Sequence, residues 1–205
     1  MNKHTLTKVG IGLTLGSTLV LAGCADAGDG GGADGHDMGD GSPSQDAGAD
    51  ATGANDADVV FAQMMIPHHE QALVMSRIVL GTEGVDPAVV DLATRIEGAQ
   101  EPEIATMEGF LEEWGAEPMG DHSGHEMDGM LSDEEIQALE AADATTVSRL
   151  FLEGMIAHHE GAVDMAKAEI ADGENAEARA LAQEIIDAQE QEIQEMQDLL
   201  AALRQ

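Results

Sequence analysis

The chain of 205 residues is poor in cysteine, aromatic residues and basic residues. It has one Cys, no Tyr, one Trp and three Phe, and its 8 Lys and Arg stand against 41 Asp and Glu, for a net charge of -33. One Cys excludes an intrachain disulfide scaffold and supplies too few thiolates for a zinc ribbon or an iron–sulfur cluster. Nucleic-acid binding needs clustered Lys and Arg, so no nucleic-acid partner is predicted. The acidity fits small cations, although solubility alone also explains it.

The single cysteine ends a segment that is typical of bacterial lipoprotein signals. Lys3 and Lys8 precede a short apolar run, residues 9–21, which is too short to span a bilayer and ends in Leu-Ala-Gly-Cys. This string resembles a lipobox, in which the Cys thiol takes a diacylglyceryl group. We therefore predict a lipoprotein signal peptide over residues 1–23 and a lipid anchor on Cys24. The mature protein would then lie outside the cytoplasm, on the outer face of the cell membrane or in the periplasm. An ordinary secretion signal is the alternative.

Residues 24–55 are rich in Gly and Asp and contain no Lys, no Arg and no aromatic residue. Such a segment cannot bury enough apolar surface to offset the entropy of ordering. We predict a disordered acidic tether here, followed by a folded domain over residues 56–205.

The folded domain is a duplication. Residues 65–75 and 155–165 share the pattern M-I-x-H-H-E-x-A-x-x-M, and a second shared pattern, A-Q-E-x-E-I-x-x-M, follows each copy at nearly the same offset. The repeats, about 56–115 and 143–204, are therefore predicted to be two-helix units, with a Met/His-rich loop, 116–131, between them.

Capping and helix-stopping residues indicate where the helices begin and end. The main helices are predicted over about 56–81, 86–114, 143–171 and 176–205, with a short extra helix starting at Ser132. There is no period-2 strand pattern, and the connections are short. The predicted fold class is all-α, an antiparallel four-helix bundle built from two repeated helical hairpins.

Helical spacing places one His and two Met from the first helix of each repeat on an inward face, with a Glu and a Met from the second helix. In the first repeat these are Met65, His68, Met75, Glu103 and Met107, with His69 on the flank. In the second repeat they are Met155, His158, Met165, Glu192 and Met196, with His159 on the flank. Ala99 and Ala188 are predicted to share the inward stripes.

These inward side chains have two interpretations. Met at helical spacing commonly fills a core, and a buried Glu can hold a His in a structural ion pair. A metal ion would instead satisfy all the costly buried polar groups, and thioether with imidazole favours copper, Cu(I) especially. A di-iron carboxylate site is not expected, because no His follows a Glu by three residues. The H-E-x-x-H motif of zinc proteases is absent as well.

A second cluster of soft ligands lies in the loop between the repeats. Its members are Met119, His122, His125, Met127 and Met130. Exposed Met suits a plain linker poorly, so we predict metal capture, with an acidic surface loop as the alternative.

Over roughly residues 56–203 the doubled motif resembles the bacterial family named domain of unknown function 305. The resemblance implies a ferritin-like four-helix bundle. It carries over to the Met and His residues of both motifs and to Gln100, Glu103, Met107, Gln189, Glu192 and Met196. Some family members are periplasmic copper-binding proteins linked to copper resistance, so the resemblance also implies a copper ion as ligand.

The sequence favours a membrane-anchored, extracytoplasmic copper-binding protein that sequesters copper or hands it to another copper-handling protein. The alternative is a non-catalytic structural or protein-interaction bundle whose His and Glu form core ion pairs. A metal-dependent redox enzyme is a third hypothesis, but the sequence offers no distinct base, nucleophile or open metal site. We therefore predict no enzymatic activity.

Overall fold

The computed structural model describes residues 53–119 and 127–203. These residues form helices and no strand: α1 (Asp56–Gly81), α2 (Pro87–Trp114), α3 (Asp133–Glu140), α4 (Ala144–Asp172) and α5 (Ala176–Leu203). The predicted all-α class is confirmed. Within the described ranges, no helix is long and apolar enough to cross a membrane. The predictions for Cys24, the signal peptide, the tether up to residue 52, His122 and His125 lie outside the described residues.

Polar caps set the ends of the long helices. The Asn55 side chain accepts hydrogen bonds from two backbone N–H groups in the first turn of α1, and the Asp58 carboxylate accepts the backbone N–H of Asn55 at 2.6 Å. This is a reciprocal capping box. Asp86 and Asp143 cap α2 and α4 in the simpler way, and Gly115 ends α2 in the left-handed conformation at φ 67°. These positions agree with the ends predicted from the sequence.

The helices pack most closely within each repeat, α1 against α2 and α4 against α5. The two halves meet mainly where α1 packs against α4, while α2 and α5 contact each other little. The two helices that carry the His motifs therefore form the seam between the repeats, and the motifs can combine there.

The core contains two apolar clusters separated by a polar layer. One cluster takes the C-terminal halves of α1 and α5 with the N-terminal halves of α2 and α4, and the other takes the remaining halves. Between them every long helix contributes buried or partly buried polar side chains. These are His68, His69, Gln100, Glu103, His158, His159, Gln189 and Glu192. We call this layer the polar waist.

The polar waist corrects the predicted inward faces of α2 and α5. Ala99 and Ala188 are exposed, whereas Gln100 and Gln189 are buried. Apolar spacing assigns Ala to the interior and Gln to the surface, so it fails at the one level where the core is polar.

Candidate metal centre

The centre of the polar waist is a histidine pair with one member from each repeat. The rings of His68 on α1 and His158 on α4 have centroids 3.7 Å apart and planes tilted by 39°. Both side chains are completely buried, and within the described part of the chain no group lies in hydrogen-bonding geometry with Nδ1 or Nε2 of either ring. Buried polar groups in folded proteins are almost always satisfied, so these nitrogens are candidate ligand-binding atoms.

Burial keeps both rings of the pair neutral. Desolvation, together with the neighbouring His69, lowers the pKa of His68 to about 3. Desolvation and the adjacent His68 ring lower the pKa of His158 well below its ordinary value. Neutral imidazole is the form that binds metal ions, so at neutral pH these rings need not lose a proton first.

The second His of each motif is paired with the Glu of its own repeat. Nε2 of His69 lies 2.8 Å from Oε2 of Glu103, and Nε2 of His159 lies 2.8 Å from Oε2 of Glu192. A carboxylate oxygen only accepts, so Nε2 of each ring donates, and the tautomer that carries its hydrogen there has its lone pair on Nδ1. Nδ1 of both rings is buried and has no hydrogen-bond partner among the described residues. Carboxylates commonly orient metal-binding histidines in this way, and Glu103 and Glu192 are placed so that they can orient these two rings.

Methionine packs on both sides of the polar waist. Five of the predicted Met ligands are completely buried in the two apolar clusters, and these are Met65, Met75, Met107, Met155 and Met196. Met65 and Met155 precede His68 and His158 by three residues, so each lies on the same helical face as its His, about one turn away. The burial of all five also fits ordinary core packing.

Met165 departs from its predicted inward position. Its counterpart Met75 is fully buried because Gly154 leaves room: a Cβ added there would lie 3.2 Å from the Met75 Cε. In the other repeat, Met64 takes the position that corresponds to Gly154. Met165 is only partly buried, and it lines a surface cavity of about 220 Å³ together with Met64. The larger side chain of Met64 thus leaves Met165 near the surface.

The Met/His-rich loop of residues 116–131, which we call the linker, has its C-terminal end across the seam at the histidine pair. A Cβ added to Gly129 would overlap the carbonyl oxygen of Ala157 and lie 3.1 Å from the Cα of His158. Of the predicted linker ligands, Met127 and Met130 are partly buried here. Met119 is exposed beyond the end of α2. Of the three described linker ligands, two therefore lie at the C-terminal end of the linker and one lies at its other end.

Two residues to which the sequence analysis assigned no role lie against this end of the linker. Gln71 exchanges two hydrogen bonds with the backbone of Leu131, at 2.8 Å from Nε2 and 2.7 Å to Oε1. Gly161, the counterpart of Gln71 in the second repeat, leaves no room for a Cβ because the carbonyl oxygen of Asp128 occupies that space. The signal in the sequence was the difference between the two repeats at this position.

Within residues 53–119 and 127–203, no three His, Cys, Asp or Glu side chains are grouped so that they could hold a metal ion. The buried side chains at the polar waist and on either side of it offer imidazole nitrogen and thioether sulfur. That combination of donors suits copper.

The family comparison agrees with the doubled motif. The family model described as domain of unknown function (DUF305) matches residues 58–200. The chain belongs to the DUF305 family. No curated protein is similar to this DUF305 chain.

Solved structures of DUF305 proteins share the fold of this chain. A DUF305 fragment from Deinococcus radiodurans is 32% identical, with 73% of this chain and 98% of that chain covered and a TM-score of 0.66. A DUF305 protein of Streptomyces coelicolor, whose name describes it as secreted, is 34% identical over 72% of this chain and 93% of that chain, with a TM-score of 0.65.

A third similar protein, CopM, has been solved with copper. Its Cu(I)-bound form is 30% identical to this chain, with 71% of this chain and 96% of that chain covered and a TM-score of 0.60. Its Cu(II)-bound form gives 33% identity over 71% and 96%, with a TM-score of 0.62. At least one protein with this bundle fold therefore binds copper.

Proposed function

We propose that this DUF305 protein binds copper at its polar waist and either sequesters it or passes it to another copper-handling protein. The observation that carries the proposal is the buried pair of His68 and His158, whose ring nitrogens have no partner in hydrogen-bonding geometry among residues 53–119 and 127–203. Surrounding Met side chains supply the soft donors that favour Cu(I). The copper-bound forms of CopM, a similar protein, add support.

The proposed roles follow from the hydrogen bonds at the waist. His68 and His158 bind the ion directly, and His69 and His159 are available through Nδ1. Glu103 and Glu192 fix the flanking rings, while the buried Met residues supply thioether contacts. Copper is the cargo of this site, and no catalytic residue is proposed.

We also propose that the protein is held outside the cytoplasm by a lipid on Cys24. The support is the lipobox-like string that ends at this cysteine, the only one in the chain. Acyl chains add about 0.8 kcal/mol of membrane affinity per buried methylene. Cells grown with a labelled fatty acid should incorporate the label into the wild-type protein and not into Cys24→Ser. Equal labelling of both proteins would contradict the anchor.

Titration with Cu(I) against a competing chelator tests the copper site. The full chain carrying Cys24→Ser is the reference, because this change removes the thiol. We expect the His68→Ala, His158→Ala double variant to bind copper about 100-fold more weakly or worse. Removal of an orienting carboxylate through Glu103→Gln should cost about tenfold.

The matched control for the double variant is His122→Ala with His125→Ala, which removes two histidines from the linker instead. It should keep the affinity of the waist site. Weak binding of equal strength by the reference and the His68, His158 variant would overturn the proposal, and loss only in the linker variant would move the site to the linker.

A structural bundle without metal is the second candidate, and the two His–Glu pairs favour it. His69 with Glu103 and His159 with Glu192 are satisfied in part by each other. This function predicts that copper leaves the melting temperature unchanged, whereas a ligand that binds only the folded state must raise it. A structural role without metal does not explain why the buried ring nitrogens of His68 and His158 lack a hydrogen-bond partner among the described residues.

A further inference from the structure

The linker end that crosses the histidine pair is a compact turn. Residues 127–131, which we call the strap, include a backbone hydrogen bond from the Met130 N–H to the Met127 carbonyl at 3.2 Å. Gly129 has φ 86°, a left-handed conformation that favours glycine. The strap therefore has a defined turn conformation, and its backbone lies directly against α4 at His158.

The two repeats differ where they meet the strap, and each difference accommodates it. On α1, Gln71 holds Leu131 through both a donor and an acceptor. At the matching position of α4, Gly161 makes room for the Asp128 carbonyl. One side of the seam thus fixes the strap, and the other side lets it approach closely.

The strap is held more weakly than the helices that it covers. Asp128 is exposed and Met127, Gly129, Met130 and Leu131 are only partly buried. Beside it, a cavity of about 320 Å³ lies between the strap, α3 and α4. Leu131 packs against the apolar core, but the other four residues of the strap bury little apolar surface, and segments of this kind open locally at a low free-energy cost.

We propose that the strap is the gate of the histidine pair: copper enters and leaves the polar waist when residues 127–131 lift from α1 and α4. This proposal rests on the proposed copper function of the same site. Both rings are completely buried when the strap is seated, so exchange of the ion requires a local opening. Met127 and Met130 place thioethers on the moving segment, where they can receive a soft ion.

A gate controls rates, and two variants that loosen it should speed exchange. Gln71→Ala removes both hydrogen bonds to Leu131. Gly161→Ala places a Cβ where the Asp128 carbonyl lies, and Ala within a helix is compatible with folding of α4. In each variant of the full chain with Cys24→Ser, transfer of bound Cu(I) to a chelator should accelerate by about tenfold.

Matched controls come from the same chain. Gln63 also lies on α1 and bonds the backbone of Glu117 at 2.6 Å, away from the strap, so Gln63→Ala should leave the transfer rate unchanged. Gly98 lies in α2, where an added Cβ meets nothing within 4 Å, so Gly98→Ala should also match the reference.

Hydrogen exchange of the Leu131 amide reports on the strap without copper, and it should accelerate in Gln71→Ala. Faster copper transfer in Gln71→Ala and Gly161→Ala, with unchanged controls, supports the gate. Tight copper binding with unchanged transfer rates in both variants overturns the gate and leaves the copper function standing. Absence of waist binding in the reference protein overturns both.

Discussion

A carboxyl pair outside the polar waist joins the start of α1 to the end of α4. Asp58 accepts hydrogen bonds from the backbone N–H groups of Asn55, Glu174 and Asn175 at 2.6, 3.2 and 2.9 Å. Burial alone would raise the pKa of Asp58, but these donors lower it. Burial and the neighbouring Asp58 raise the pKa of Glu169 to about 8. Glu169 therefore holds a proton at neutral pH, and this proton allows the two carboxyl groups to lie together.

This pair predicts a stability change on the alkaline side. The pKa of Glu169 is about 8 in the folded chain against an ordinary value of 4.5, so the folded state binds the extra proton and loses stability as the pH rises toward 8. His68 and His158 have lowered pKa values, so they remain neutral in both states above about pH 7. In Glu169→Gln the fall between pH 7 and 8 should shrink by about 1 kcal/mol.

Chemical denaturation at several pH values between 7 and 8 measures this fall. Glu160→Gln is the control, because Glu160 is exposed on the same helix, and its free energy of unfolding should follow the wild-type slope. A wild-type slope in Glu169→Gln as well would show that the pair does not hold a proton.

At the scale of helices, the sequence predicts the ends well because each end depends on local chemistry. Asn55, Asp86 and Asp143 cap whatever helix follows them, and Gly115 ends α2 by its own conformational freedom. The inward face of α2 is harder to predict. Whether Gln100 or Ala99 is buried depends on polar residues that three other helices place at the same level of the core. The spacing of residues along α2 carries no information about those helices.

The differences between the repeats also have causes outside the repeats. Gly161 stands where the first repeat has Gln71, and the smaller residue leaves space for the strap to pass over α4. Met64 stands where the second repeat has Gly154, and its larger side chain leaves Met165 near the surface while Met75 stays buried. In the sequence each of these two differences is only a change between the repeats. Its structural effect becomes visible only in the packing of the helices and the strap.

At the scale of the whole molecule, two copies of one motif converge on one place. His68 and His158 belong to different repeats, yet their rings lie 3.7 Å apart. The His–Glu pairs, in contrast, each form within a single repeat. Helical periodicity predicts that both motifs face inward, but it cannot predict whether they meet, because it does not say which helix each face packs against. The two repeats thus share one histidine pair, and each repeat supplies its own His–Glu pair beside it.

A shared centre predicts how single variants behave. His68→Ala and His158→Ala should each weaken copper binding nearly as much as the double variant does, because either change removes part of the same site and the effects of residues in one site do not add. Two separate sites would instead leave each single variant with half of the bound copper at wild-type affinity. Copper per chain, measured by native mass spectrometry on the Cys24→Ser background across a series of chelator concentrations, distinguishes the two. His36→Ala, a change in the predicted tether, is the matched control and should bind as the reference does.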